Sequence, residues 1–422
     1  MIQIVRGALP EDILDRQEQD LGKYESVVAD IIARVRREGD EALRYYARKF
    51  DGVELDSLEV PREELLRAEE EVGEEYLAML LRAAANIREF HEKQLEKGFC
   101  IKRPDGTVLG QRVSPVARAG IYVPGGTASY PSTVLMNAIP ASVAGVPEII
   151  MVTPPSREGG IRREVLAAAS VAGVTRVFAI GGAGAIAALA YGTESVPRVD
   201  KITGPGNIYV ATAKRMVYGA VGIDMVAGPS EILIIADKTA DPALVAADML
   251  SQAEHDALAT AVLVTDDLGL AERVAEEIDE QLKVLPRREI AEKSIMNRGK
   301  IIVTDSIEKA VEVSDAIAPE HLELCVAEPR NLFDKVTSAG SVFLGHNTPE
   351  AAGDYYAGAN HTLPTGGSAR FSSPLSACDF LKRTQYIEYS AEGILGAIDD
   401  IVTFAESEGL SGHARSAARR RR

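Results

Sequence analysis

From about residue 119 onward the chain repeats one unit: a short apolar run, a turn rich in glycine, proline or serine, then an alanine-rich helical stretch. Clear cases are Ala119–Val123 before Pro124-Gly-Gly, Glu148–Val152 before Thr153-Pro-Pro, and Arg176–Ile180 before Gly181-Gly-Ala-Gly. Lys201–Thr203 before Gly204-Pro-Gly-Asn continues the series, as do Ile232–Ala236, Ala261–Val264 and Lys300–Val303. Strand, turn and helix in this alternation predict an α/β protein built on mostly parallel sheets. The first hundred residues are charged and helical in pattern, with Val27, Val28, Ile31, Ile32 and Val35 at helical spacing and Leu65, Leu66, Ala68 and Val72 likewise. After Pro374 the strand signals cease, so the tail is expected to be mostly helical. No short-period repeat suggests a solenoid.

A chain of 422 residues has room for two or three domains, and 46% apolar with 26% charged residues is ordinary globular composition. The net charge of −17 argues against a general binder of nucleic-acid backbones. Arg419–Arg422 is read as a solvated terminus. The opening residues lack the apolar segment of a signal peptide, and no run of roughly 18 apolar residues occurs. The expectation is a cytoplasmic chain with no membrane and no nucleic-acid partner. Cys100, Cys325 and Cys378 are far apart with no C-x-x-C spacing, which suits a reducing compartment and offers neither a disulfide framework nor a zinc knuckle. Cys325, in Leu322-Glu-Leu-Cys-Val, is expected to be a small core residue.

Ligands of parallel sheets bind beyond the carboxyl ends of the strands, where glycine turns and helix N-termini favour anions such as a pyrophosphate. Gly182-Ala-Gly184-Ala-Ile-Ala187 satisfies G-x-G-x-x-A, with Asp200 downstream. Dinucleotide contact and simple close helix packing are equally good readings of that one match. The histidines are more telling. Five of six lie beyond residue 250, and four have a polar partner close by: Gln252 with His255, Glu320 with His321, Asp354 with His361, and Glu408 with His413. Gln252 and His255 are three apart on an expected helix, hence on one face. His91 and His346 are placed with ordinary surface or capping histidines. Nitrogen, carboxylate and amide oxygen without thiolate form a donor set suited to Zn²⁺ or Mn²⁺, which points to one metal site that keeps positions open for a substrate.

Six longer motifs stand in order along the chain: Ala119-Gly-Ile-Tyr-Val-Pro-Gly-Gly, Asp200-Lys-Ile-Thr-Gly-Pro-Gly-Asn, Ile223-Asp-Met-Val-Ala-Gly-Pro-Ser-Glu-Ile, Gln252-Ala-Glu-His, Ala318-Pro-Glu-His-Leu-Glu and Gly358-Ala-Asn-His-Thr-Leu-Pro-Thr-Gly-Gly. Together they resemble those of the histidinol dehydrogenase family over nearly the whole length. The resemblance implies two incomplete Rossmann-like domains with mostly parallel sheets, and small N- and C-terminal helical segments that take part in a domain-swapped homodimer. Applied to this chain, it implies an N-terminal arm over 1–22, a discontinuous catalytic domain over 23–118 and 230–375, an NAD-binding domain over 119–229, and a helical dimerisation arm over 376–422.

The activity implied is oxidation of L-histidinol to L-histidine through the aldehyde, with two hydride transfers to NAD⁺, closing histidine biosynthesis. By similarity one Zn²⁺ per subunit is held by Gln252, His255, Asp354 and His413, and Glu320 and His321 are the acid/base pair. Substrate contacts fall on Ser230, Gln252, His255, His321, Asp354, His361, Glu408 and His413, with Glu408 and His413 supplied across the dimer interface. Tyr122, Gly184 and Asn207 match cofactor-contacting positions. At Gly184 the family carries a glutamine, and losing its hydrogen bond removes about 0.5–1.5 kcal/mol. The G-x-G-x-x-A match is itself created by that substitution. A paralogue oxidising another small amino or hydroxy alcohol is the alternative. A non-catalytic metal- or nucleotide-binding dimer would have no need of Glu320 and His321, and a thiol aldehyde dehydrogenase needs an activated cysteine that this chain lacks.

Overall fold

The computed structural model describes residues 2–7, 22–125, 130–157 and 159–421. Its elements begin with β1 (Gln3–Arg6), α1 (Gly22–Glu38), β2 (Glu59–Val60), β3 (Phe99–Lys102), β4 (Val108–Pro115) and β5 (Arg118–Tyr122). The alternating part follows with β6 (Glu148–Thr153), β7 (Arg176–Ala179), α2 (Gly182–Tyr191), β8 (Lys201–Thr203), α3 (Ile208–Val217) and β9 (Gly222–Ile223). It continues through β10 (Glu231–Ala236), α4 (Pro242–Ala253), β11 (Thr260–Thr265), β12 (Lys300–Val303), β13 (His321–Cys325) and β14 (Ser341–Leu344). The last elements are β15 (Leu381–Glu388), α5 (Ala391–Ser407) and α6 (Ser411–Ala418).

Two six-stranded sheets carry the expected α/β character. The first has the order β2-β7-β6-β5-β8-β9 and is parallel except where β2 meets β7. The second has the order β1-β12-β11-β10-β13-β14 and is parallel throughout. β10 and β11 are buried at every position, which is why they read as unbroken apolar runs. α1 buries Val28, Ile31, Ile32 and Val35, a single stripe, in a core shared with α2. α2 itself is Ala, Gly, Ile and Leu through most of its length and buried all round. α4 starts on Asp241, whose side chain accepts from Ala243 N, with Pro242 at its first position.

The chain divides into two compact units. One is Met1–Gln94 with Ala117–Phe380 and holds both six-stranded sheets; the other is Leu95–Val116 with Leu381–Arg422. The second unit contains the antiparallel sheet β15-β4-β3 together with α5 and α6. The tail expected to be mostly helical after Pro374 holds α5 and α6 but also one strand that the sequence did not show: β15 pairs along its whole length with β4. Its residues, Leu-Lys-Arg-Thr-Gln-Tyr-Ile-Glu, are nearly all exposed, so no apolar run marks it as a strand. Most of the expected N-terminal arm, residues 8–21, lies outside the described residues. Its described part is a strand, β1, joined to the edge of the second sheet by β12.

Both large sheets have a topological switch point. In the first, the chain leaves β5 for β6 and β7 on one side, then returns to β8 and β9 on the other. In the second, β11 and β12 lie to one side of β10, and β13 and β14 to the other. These reversals are where open α/β sheets leave a crevice for ligands.

Candidate active site

The amino ends of β10 and β13 bring together Glu320, His321, Gln252 and Asp354. His321 is the first residue of β13 and pairs in register with Ile232 of β10. Glu320 precedes it, and Gln252 lies in the last turn of α4. Asp354 sits on a π-helical turn, Gly353–Ala357, that follows the short helix Glu350–Ala352. π-turns recur at functional sites. These groups stand at the amino ends of β10 and β13, so the rule that parallel sheets bind at their carboxyl ends does not locate this cluster.

His321 is the hub. Its Nδ1 lies 3.1 Å from Glu231 O and 3.2 Å from Gln252 Nε2, so it donates to the carbonyl in one tautomer and accepts from the amide in the other. Its Nε2 faces Asp354 Oδ1 at 3.6 Å and Glu350 Oε1 at 3.7 Å. Glu320 Oε2 is 3.7 Å from Nδ1 and accepts from Glu231 N at 2.9 Å. Burial works against charging the imidazole, but Glu350, Glu320 and Asp354 outweigh it and raise its pKa well above the ordinary value. Burial pushes Glu320 up to about 8, against the pull of His321. Asp354 stays below the usual carboxylate range because the His321 imidazole beside it outweighs its burial.

His361 Nδ1 donates to Asp354 O at 3.0 Å, and burial lowers its pKa. His255 is exposed on one side, yet the surrounding protein lowers its pKa by desolvation, with Asp354 acting in the opposite sense. Ser230 immediately precedes β10, and its carbonyl accepts from Thr260 N. Glu408 and His413 belong to the second unit, where they lie at the end of α5 and in α6, both exposed. His91 does not belong with surface or capping histidines. It is fully buried, its Nδ1 donates to Ile87 O at 2.8 Å, and its Nε2 lies 3.2 Å from Asn360 Nδ2, beside His361. His346 is half-buried and lies 3.1 Å from Thr239 Oγ1.

Two features were missed from the sequence. Glu350 is buried, four residues before Asp354, a spacing that puts both carboxylates on one side of a helical turn. Glu323 shares the strand face of His321, two residues on, and its Oε1 accepts from Glu350 N at 2.7 Å. Glu323 also meets Asp248, and burial, then mutual repulsion, raises the pKa of Glu323, while burial raises that of Asp248. A lone acid inside the apolar strand Leu322–Val326 was the signal to notice. Cys325, by contrast, is the core thiol expected, its pKa pushed up by burial.

The raised carboxyl pKa values carry a stability consequence. Glu323 holds its proton in the folded chain at pH values where the unfolded chain has released it, so folding binds protons and stability falls as pH rises above the ordinary carboxylate range. Thermal melts of the metal-free protein should show Tm falling from pH 5 to pH 9, and Glu323→Gln should flatten that fall. An equal fall in both proteins would place the linkage elsewhere.

The cluster fits a metal ion. Gln252 Oε1, His321 Nε2 and Glu350 Oε2 are buried with no hydrogen-bond partner among the described residues, and such orphaned atoms call for a ligand. Donor atoms of His321, Glu350 and Asp354 lie within 4.8 Å of one another. That group shares only Asp354 with the ligand set implied by resemblance. The first switch point holds the remaining candidates. Tyr122 ends β5, is buried with its pKa pushed up to about 12, and its hydroxyl accepts from Gly182 N at 3.2 Å. Asn207 caps α3 by accepting from Tyr209 N and Val210 N. Gly184 is buried within α2, where a Cβ would meet Leu43 and Tyr46 at 3.6 Å, an apolar wall in ordinary contact.

The family model described as histidinol dehydrogenase matches residues 14–421. The chain belongs to the histidinol dehydrogenase family. A histidinol dehydrogenase of Geobacter sulfurreducens is 54% identical over 407 residues, covering 96% of this chain and 95% of the relative. One of Bacillus subtilis is 50% identical over 423 residues, covering 100% and 99%. The crystal structure of histidinol dehydrogenase from Elizabethkingia anophelis superposes with a TM-score of 0.93 at 39% identity, covering 99% of this chain and 98% of that one. The mixed α/β architecture with parallel-dominated sheets is thus that of a histidinol dehydrogenase. No helix among the described residues is long and apolar enough to cross a membrane.

Proposed function

We propose that this chain, an oxidoreductase by family, oxidises L-histidinol to L-histidine through the aldehyde, in the cytoplasm, using NAD⁺ and one Zn²⁺ per subunit. The observation that carries the reading is the convergence of Gln252, Glu320, His321 and Asp354 at the amino ends of β10 and β13, with three buried polar atoms there that lack a partner among the described residues. Zinc, when bound, orients the substrate through its imidazole and amino nitrogens; NAD⁺, when bound, accepts the hydride in each oxidation. Gln252, His255 and Asp354, with His413 of a second copy, are the proposed ligands. Ser230, His361 and Glu408 are the proposed substrate contacts, and Tyr122, Asn207 and the backbone at Gly184 the cofactor contacts.

His321 takes the alcohol proton as the carbinol carbon is oxidised. For that the imidazole must be neutral, as a general base is. Glu320, its carboxyl made more basic by burial, takes a proton from the water that adds to the aldehyde. His321, having passed the first proton to solvent, then removes the proton of the resulting hydrate hydroxyl as the second hydride leaves. Chelation should abolish turnover, and added Zn²⁺ should restore it; full activity in metal-free protein would remove zinc from this reading.

The shared site of a homodimer has its own test. Subunits carrying His321→Asn and subunits carrying His413→Asn should each be inactive alone. After subunit exchange, a hybrid dimer regains one intact site only if His413 acts across the interface. A mixture that stays inactive, with hybrids formed, places His413 in its own subunit's site.

A further inference from the structure

Lys214 of α3 and Asp224, just after β9, form an ion pair with side chains only 2% and 1% exposed. No step above uses it. Taking two charges out of water is expensive, and apolar residues of the same volume often serve stability equally well.

What the pair holds is one residue of a turn. Lys214 Nζ donates to Gly204 O at 2.9 Å, and Gly204 N donates to Asp224 Oδ2 at 2.8 Å. Asp224 is fixed in turn by Met225 N, which donates to Oδ1 at 2.6 Å, and by its own N–H, which donates to Ile202 O at 3.1 Å. Gly204 has φ +112°, and a Cβ there would lie 2.0 Å from Tyr122 O. The turn is therefore pressed against the end of β5 while both of its peptide groups at Gly204 are tied to the ion pair. It occupies the first sheet's switch point and leads directly into Asn207 and the amino end of the ten-residue helix α3. A helix start at a switch point is where a pyrophosphate is bound, provided the backbone stands at the right height.

We infer that Lys214 and Asp224 are positioning residues for the dinucleotide: through Gly204 they set the spacing between Tyr122 and Asn207 and thereby the affinity for NAD⁺. This rests on the reading of Tyr122 and Asn207 as cofactor contacts. Lys214→Met in the full-length zinc-loaded protein should raise the Kd for NADH, read by fluorescence titration, roughly tenfold or more, the scale of one misplaced charge-assisted contact. The KM for NAD⁺ should rise with kcat little changed, while zinc content and calorimetric binding of L-histidinol stay as in the parent. A merely structural role would instead lower the active fraction and leave the Kd for NADH untouched, which overturns the inference. Asn207→Ala separates the two levels. Normal NADH binding in that variant sinks the crevice reading itself; weakened binding there, with normal binding in Lys214→Met, sinks only the positioning role. If Lys214→Met does not fold, the double variant K214M/D224N, which removes both charges, takes the same titration. Failure of both to fold assigns the pair to the fold alone and also overturns the inference.

Discussion

Asparagine in place of His321 should lower kcat for alcohol oxidation by roughly 10²–10⁴, the range a positioned general base supplies. Asparagine keeps a polar group at the start of β13 but has no nitrogen able to take a proton. The surrounding carboxylates of Glu320, Glu350 and Asp354 lose their shared cation, yet zinc drawn to Asp354 compensates, so metal content should hold. The acid limb of the kcat/KM profile should disappear with the imidazole, since protonated His321 is the inactive form. Steady-state NADH formation against pH, with zinc measured on the same sample, checks this. A kcat within a few-fold of the parent, at the lower edge of what acid–base groups contribute, would assign the proton transfer to another group.

Glu320→Gln should divide the reaction in two. The amide oxygen can still accept from Glu231 N, as the carboxylate does at 2.9 Å, so the junction of β10 and β13 is retained. What is lost is the base for hydration of the aldehyde, so aldehyde oxidation should slow by roughly 10²–10⁴ while alcohol oxidation suffers less. A carbonyl trap should capture the aldehyde, and NADH per L-histidinol should fall from two towards one. In the parent, the aldehyde step should accelerate as pH rises through about 8, where burial has placed the Glu320 carboxyl, and the variant should lack that rise. Equal slowing of both steps would contradict separate roles for Glu320 and His321.

The elements legible in the sequence were those whose environment is uniform. β10 and β11, buried on both faces, are apolar throughout, and α1 shows one apolar stripe because one face meets the core. β3, β4 and β15 were missed because they form an antiparallel sheet whose residues are largely exposed or half-buried, leaving no run to see. Motif spacing flagged Gln252, Glu320, His321, Asp354 and His361, because each pairs an ionisable or amide group with a neighbour. Glu350 and Glu323 went unnoticed because carboxylates are common and only burial makes these two unusual. His91 was misjudged for the same reason: nothing local shows that Asn360 will close over it. That the cluster stands at the amino ends of β10 and β13 depends on strand order, which no local pattern displays.

The most direct test of the central claim is the number of NADH molecules formed per L-histidinol consumed by the zinc-loaded protein. Two NADH per L-histidinol, with L-histidine as the product, is the predicted result. No NADH from L-histidinol, in protein that holds zinc and binds NADH, would contradict it and turn attention to other small amino alcohols.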